Sequence, residues 1–413
     1  MVKQRLSILM MLFVFGVFTL TSAAQEASIP AWTAWLYDGA TGTVTAVGAD
    51  GLVSREFVLP LAQAFNAYGA NIAVSPSGKW IAYLGSDSSA SVPNRSLFVY
   101  DVALESIVAS YQLAPEEEAT SLDLYPTPFM FDEATNRVSF GTIFFDRTNA
   151  DVPPAWKIIV LNTNTSAVEA MLSSDNPNTA TVMGENFLII PVIRRFSEGL
   201  VTFMTVYYAT GGAPQYPAFT WDIATDEITT DTIFTISNSD YLPATGEVLS
   251  AVLDERLPVT SVQPVGPIPV FNAIQAYDPA SNSTYPFYTS ADEILNGAYF
   301  VQNGERVMVS VYSDELGIVW TLLERDGTVI AQPDLPPTAY IIVNTPDGFL
   351  YSEASPSTEE GTRIIAVDTR SGDFTQNVIY TAPAQQYPLL AYVQINAPPS
   401  TTYIPWSQVA DPR

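Results

Sequence analysis

The chain has no cysteine and no histidine. Without histidine, Ser-His-Asp and Cys-His catalysis are excluded, and so are His-ligated zinc, copper and iron sites. Without cysteine, no disulfide staples the fold, and lipid anchoring at a cleavage-site cysteine is ruled out. Stability must come from the core. Lysine is nearly missing too: Lys3, Lys79 and Lys157 are the full set, which leaves Schiff-base chemistry almost nothing to draw on. Past the N-terminus no apolar run approaches the roughly 20 residues of a membrane-spanning helix. No stretch shows a helical period over a dozen residues. Carboxylates, tyrosines and arginines are what remain for any active site, and no cofactor is expected.

What is present begins with an export signal. Lys3 and Arg5 precede an apolar run from Leu6 to Leu20, followed by Thr21-Ser22-Ala23-Ala24-Gln25. That three-part layout reads as a secretory signal peptide over residues 1–24, with Ser22 and Ala24 at the small-residue positions and cleavage after Ala24. The expected location is secreted or periplasmic, with no membrane insertion after cleavage. Loss of Lys3 and Arg5 leaves 14 basic residues against 43 acidic ones, a net charge of −29. Such a surface repels phosphate backbones and anionic lipid, so nucleic acid is not an expected partner. A protein or a glycan is, and the mature chain is expected to be a monomer.

The secondary-structure signal is strand throughout. Ser96-Leu97-Phe98-Val99-Tyr100, Lys157-Ile158-Ile159-Val160-Leu161 and Arg363-Ile364-Ile365-Ala366-Val367 are short, β-branched or aromatic, and bounded by turn residues. With 31 prolines and 22 glycines as punctuation, the pattern is that of an all-β sandwich, barrel or propeller.

A repeat selects the propeller. Seven strands end in an apolar residue, then an acid or amide, then a turn, with the acid or amide at Asp38, Asp101, Asn162, Asp222, Asp278, Glu324 and Asp368. An Asp or Asn carbonyl oxygen there accepts from backbone N–H groups two or three residues on, and Gly or Asn takes the left-handed position that closes the hairpin. Each copy reads as the third-to-fourth-strand hairpin of a four-stranded blade. A second series reads as first-to-second hairpins, clearest at Val74-Ser75-Pro76-Ser77-Gly78-Lys79-Trp80. Its weaker copies centre on 132–137, 184–186, 244–247, 302–305 and 345–348. Seven late hairpins against six early ones leave a deficit at the start of the chain and an orphan pair at its end, Leu389 to Ile395 and Thr402 to Pro405. Pairing those terminal strands with the first N-terminal ones gives seven blades over residues 25–413, a single domain closed through its two ends, which removes the exposed strand edges of an open ring.

Ser75-Pro76-Ser77-Gly78-Lys79-Trp80-Ile81-Ala82-Tyr83, with Leu97-Phe98-Val99-Tyr100-Asp101 after it, resembles the strand–turn–strand core of the WD-like repeats in bacterial exported TolB-type propellers. The resemblance is close in that one blade and degenerate elsewhere. It implies a fold whose members include scaffolds, sugar- or peptide-binding modules and non-catalytic domains of peptidases; it does not imply an activity.

No catalytic constellation stands out. The run Glu116-Glu117-Glu118 reads as a solvated loop. Asp87, Asp146, Asp254, Glu255 and Asp314 fall in inter-strand loops, where a glycosidase carboxylate pair would sit, but nothing selects two of them. The doublet Arg194-Arg195, read as following a strand from Phe187 to Val192, is expected to pair with neighbouring acids, an anionic ligand being the alternative. Long second-to-third-strand loops at 209–219 and 254–270, joined by those at 87–94 and 146–155, project from one face. Trp156, Tyr216 and Phe219 are the candidate aromatic anchors of a ligand or partner surface there. The leading expectation is a non-catalytic binding or scaffold propeller. A carboxylate-pair carbohydrate-active enzyme and a docking subunit of a cell-envelope complex are the alternatives.

Overall fold

The computed structural model describes residues 30–62, 72–87, 94–115, 117–119, 129–144, 155–179, 191–205, 207–208, 214–215, 218–231, 240–254, 271–290, 294–313, 317–336, 339–353, 361–370, 374–384, 386, 388–396 and 406. They form seven antiparallel blades in a ring, all-β as expected. From the axis outward, blade 1 is Leu389–Ile395, Trp32–Asp38, Thr43–Gly48 and Val53–Val58. Blade 2 is Ile72–Val74, Trp80–Asp87, Asn94–Asp101 and Ser106–Gln112. Blade 3 is Phe129–Asp132, Arg137–Phe144, Ala155–Asn162 and Val168–Ser173, with Glu117–Ala119 also paired to Arg137–Phe144. Blade 4 is Val192–Ser197, Leu200–Met204, Ala218–Asp222 and Glu227–Asp231. Blade 5 is Asp240–Leu242, Glu247–Val252, Ala273–Asp278 and Ser283–Thr289. Blade 6 is Ile294–Val301, Arg306–Ser313, Gly317–Glu324 and Val329–Ala331. Blade 7 is Ala339–Thr345, Gly348–Glu353, Arg363–Asp368 and Thr375–Thr381.

Each blade packs both faces of its sheet against its neighbours. The second and third strands are therefore buried on both sides and read as continuous apolar runs; Trp32–Asp38 is buried along its whole length. Outermost strands such as Val53–Val58 face solvent and lose the pattern. The core is correspondingly divided into seven apolar clusters, one between each pair of successive blades.

The ring closes through its two ends, but with a different division of strands from the one expected. Leu389–Ile395 pairs directly with Trp32–Asp38, so blade 1 takes three strands from the N-terminus and one from the C-terminus. The hairpin at Asp38 consequently joins second and third strands, not third and fourth. The reason is chemical: an Asp-led turn is stabilised by its own next residues and carries no information about where in a blade it sits. Thr402 to Pro405 lie outside the described residues. A latch reinforces the closure. The Trp35 indole N–H donates to Gln394 Oε1 at 3.1 Å, and the Gln394 amide donates to the Ser77 carbonyl at 2.8 Å.

The turn chemistry is as read in six copies. Asp38 Oδ1 accepts from the Ala40 amide at 3.0 Å, Asp101 Oδ1 from Ala103 and Leu104 at 2.9 Å, and Asn162 Oδ1 from Asn164 at 2.9 Å. Asp222, Asp278 and Asp368 repeat the bond. At the seventh, Asp326 takes over from Glu324, accepting from Thr328 N at 2.8 Å. The left-handed position falls to Gly42, Asn282 and Gly327, but also to Glu105, Ser166, Asp226 and Phe374; hairpin geometry overrides residue preference there.

Two further expectations change. The first hairpin of blade 4 turns at Glu198 and Gly199, both with positive φ, whereas 184–186 lie outside the described residues. Arg194 and Arg195 therefore sit inside the innermost strand Val192–Ser197, not after it. Glu117 is not a solvated loop acid. It is buried, accepts from the Thr142 hydroxyl at 2.6 Å and the Ala114 amide at 3.1 Å, and lies 3.5 Å from Lys157 Nζ. Its strand position turns the side chain into blade 3, a two-residue periodicity invisible in three consecutive glutamates.

Among the described residues the inner ring holds an acid of unusual titration. Asp240, on the innermost strand of blade 5, accepts from the Phe300 amide of blade 6 at 2.6 Å and from the Tyr241 amide at 3.0 Å. Burial pushes its carboxyl up to about 6, against the opposing pull of those amides and of Arg194. A folded-state value above the ordinary aspartate value of 3.8 means that folding favours the proton. That contribution is complete below 3.8 and lost as pH rises through about 6. The Asp240→Asn variant removes it and keeps an acceptor for Phe300. The difference in unfolding midpoint, variant minus wild type, should therefore shrink as pH is lowered from 7 to 4. A difference that stays flat across that range refutes the assignment.

Candidate functional site

A cleft of about 380 Å³ opens on the rim between blades 6 and 7. Its origin is a mismatch of strand lengths. The outermost strand of blade 6, Val329–Ala331, has three residues, whereas that of blade 7, Thr375–Thr381, has seven. The chain after Ala331 runs through Pro333, Asp334 and Pro336; proline lacks the N–H a ladder needs, so the strand stops early. The outer part of blade 7's face is left uncovered.

Three strands of blade 7 present alternate residues into that gap. Tyr351 and Glu353 come from the second strand, Arg363 and Ile365 from the third, Gln376 and Val378 from the outermost. Glu353 stands opposite Arg363, and Tyr351 opposite Ile365. The Arg363 guanidinium donates to Glu353 Oε2 at 2.7 Å, while its Nε is shielded from solvent without a hydrogen-bond partner. The Tyr351 hydroxyl donates to Gln376 Oε1 at 3.0 Å. Burial first, and the Glu353 charge second, push this phenol up to about 12, so it remains a neutral donor across physiological pH. Asp334 adds a second carboxylate from the connecting segment, and Pro336 and Val378 supply apolar walls. The arrangement offers donors, acceptors and an ion pair on a rigid sheet face, with Glu353 paired to Arg363.

The aromatic residues expected to anchor a loop face are elsewhere. Trp156 is 3% exposed and Phe219 4% exposed. Both pack on Phe203, with ring centroids 6.2 and 5.8 Å away, in the core between blades 3 and 4. They fill an interblade space and present no ring to solvent. Tyr216 lies outside the described residues, as do most of the long loops, although strand pairing does place them as second-to-third connections of blades 2 to 5. Neither Trp156 nor Phe219 reaches the cleft. The cleft residues carry no motif; the one sequence signal for them was the proline-rich segment that cuts blade 6 short.

Seven blades closed through the chain's two ends define a seven-bladed β-propeller. No protein-family model matches the chain, and no curated protein matches it significantly. Solved structures do. A prolyl endopeptidase superposes with a TM-score of 0.50 at 13% identity over 89% of this chain and 51% of that one. The β-propeller domain of the trilobed protease from Pyrococcus furiosus gives 0.48 at 11% identity over 88% and 89%. TolB from Acinetobacter baumannii gives 0.36 at 14% identity over 72% and 62%. The chain spans about half the length of two acylaminoacyl peptidases it also matches, 48% and 47%. At 13% identity the likeness to the prolyl endopeptidase is one of fold alone.

Proposed function

We propose that this chain is an exported, non-catalytic binding or scaffold propeller that holds a glycan or protein partner in the cleft between blades 6 and 7. The supporting observation is the cleft on the outer part of blade 7, where Gln376 and the Arg363–Glu353 pair are presented together over the buried Tyr351, whose hydroxyl holds Gln376. Export rests on the leader sequence, and predicts a mature N-terminus at Gln25 on the secreted or periplasmic product, running as a monomer. The test is a glycan and peptide binding screen with the mature protein, repeated on Tyr351→Phe and Glu353→Gln. A cleft ligand should bind at least tenfold more weakly to one of them, since a removed buried hydrogen bond or charge partner costs about 1.5–3 kcal/mol. Binding untouched by both substitutions overturns the cleft as the site. Hydrolysis of a bound glycan would replace the binding reading with the carboxylate-pair enzyme.

A docking role in an envelope complex has its own observation. Phe144, Leu253, Tyr312 and Ile318 are substantially exposed at second-to-third-strand tips, which share one face of the ring. Co-purification lost on replacing Tyr312 and Ile318 by serine, with the cleft variants unaffected, would favour it.

A further inference from the structure

The seam between blades 4 and 5 differs from the rest. Among the described residues its apolar cluster has three buried members, Met204, Ala218 and Val248, whereas the next smallest interblade cluster has eight. Alternation explains the deficit. Ile193, Val201, Phe203, Phe219 and Trp221 of blade 4 all point into blade 3, which turns Thr202 and Thr220 towards blade 5. Their hydroxyls form a chain: Thr202 and Thr220 lie 3.0 Å apart, and Thr220 donates to Asp231 at 3.1 Å.

Arg195 enters this polar seam. A bulge between Ile193 and Arg195 shifts the register and places Arg195 opposite Thr202. Its guanidinium lies over the Tyr241 ring of blade 5, 5.4 Å from the centroid. Its Nε is shielded from solvent and has no hydrogen-bond partner. The neighbouring cation is used: Arg194 acts on the Asp240 carboxylate, which also accepts the Phe300 and Tyr241 amides. Among the described residues Arg195 makes no ion pair, in a chain where acids outnumber bases 43 to 16. A partly buried guanidinium without an anion is costly, because desolvation of the charge is not offset.

From this geometry we propose that Arg195, flanked by Tyr241 and the Thr202 hydroxyl, binds the oxyanion group of a small ligand, a carboxylate or a phosphate, in the seam between blades 4 and 5. The guanidinium fork suits either group, since both present two oxygens to paired N–H donors. This site is separate from the blade 7 cleft.

The test measures thermal stabilisation of the mature protein by acetate and by inorganic phosphate at pH 7.5, against chloride at matched ionic strength. Saturable stabilisation by at least one probe is expected in wild type. It should be lost in Arg195→Gln and at least tenfold weaker in Arg195→Lys, which keeps the charge and lacks the fork. The tighter probe identifies the group. If neither probe stabilises more than chloride, or if both variants respond as wild type does, the site does not exist. Arg195→Lys guards against misfolding of the glutamine variant.

Discussion

Removal of residues 389–413 should destroy the cooperative unfolding of the whole ring, not merely of its last blade. The strand Leu389–Ile395 is the innermost strand of blade 1, hydrogen-bonded along Trp32–Asp38. Leu390 and Val393 are buried in the core that joins blade 7 to blade 1. Losing a buried Leu side chain alone costs about 2–5 kcal/mol, against a total stability of about 5–15 kcal/mol for a folded protein. The truncation also strips the latch from Trp35 and Ser77 and leaves an unpaired strand edge facing the axis. A second truncation, removing 397–413, keeps this strand and loses Trp406 from the core of blades 5 and 6; it should lower the midpoint less. Calorimetry on the three proteins separates the contributions. A 389–413 deletion that unfolds at the temperature of the intact chain would show that closure does not stabilise the ring.

The second large effect is expected at the ion pair between blades 5 and 6. Glu247 opens the second strand of blade 5, and Arg325 lies in the outer turn of blade 6. Their side chains are 3% and 5% exposed and directly paired. Arg325 also donates to the Gly304 carbonyl at 2.6 Å, and its guanidinium stacks on Trp406 at 4.1 Å. Trp406 in turn meets Phe287 edge-on, with centroids 4.9 Å apart. Glu247→Ala leaves the guanidinium in this closed seam without its counter-charge, a loss of about 3–5 kcal/mol. The double variant Glu247→Leu with Arg325→Met removes both charges and should recover most of that loss, because desolvation of the pair disappears along with its attraction. Urea unfolding reports both. A Glu247→Ala protein within about 1 kcal/mol of wild type contradicts a stabilising role for the pair.

The features legible in the sequence were those governed by near neighbours. The Asp-led turns, the apolar second and third strands and the blade number all follow from contacts within a few residues, or from burial on both faces of a blade. The same locality explains the misplacements. The Asp38 turn looks like its six counterparts, yet closes a different hairpin, since its place depends on a partner more than 350 residues away. Trp156 and Phe219 sit beside long loops in sequence, but the direction of a side chain depends on which neighbouring sheet needs filling. Glu117 and Arg195 are ordinary charged residues until strand pairing turns one into blade 3 and the other into a polar seam.

The sequence by itself determined a cysteine-free, histidine-free, strongly acidic propeller of seven blades joined end to end, and it argued for export. Tertiary structure alone decided that closure uses three N-terminal strands and one C-terminal strand. It also decided that the blade 7 cleft exists because blade 6 ends short, and that Arg195 makes no ion pair among the described residues. The physical reason is one of range. Turns and strand faces are set by residues two to five positions apart, whereas clefts and charge pairs arise between blades, where sequence distance carries no information about contact.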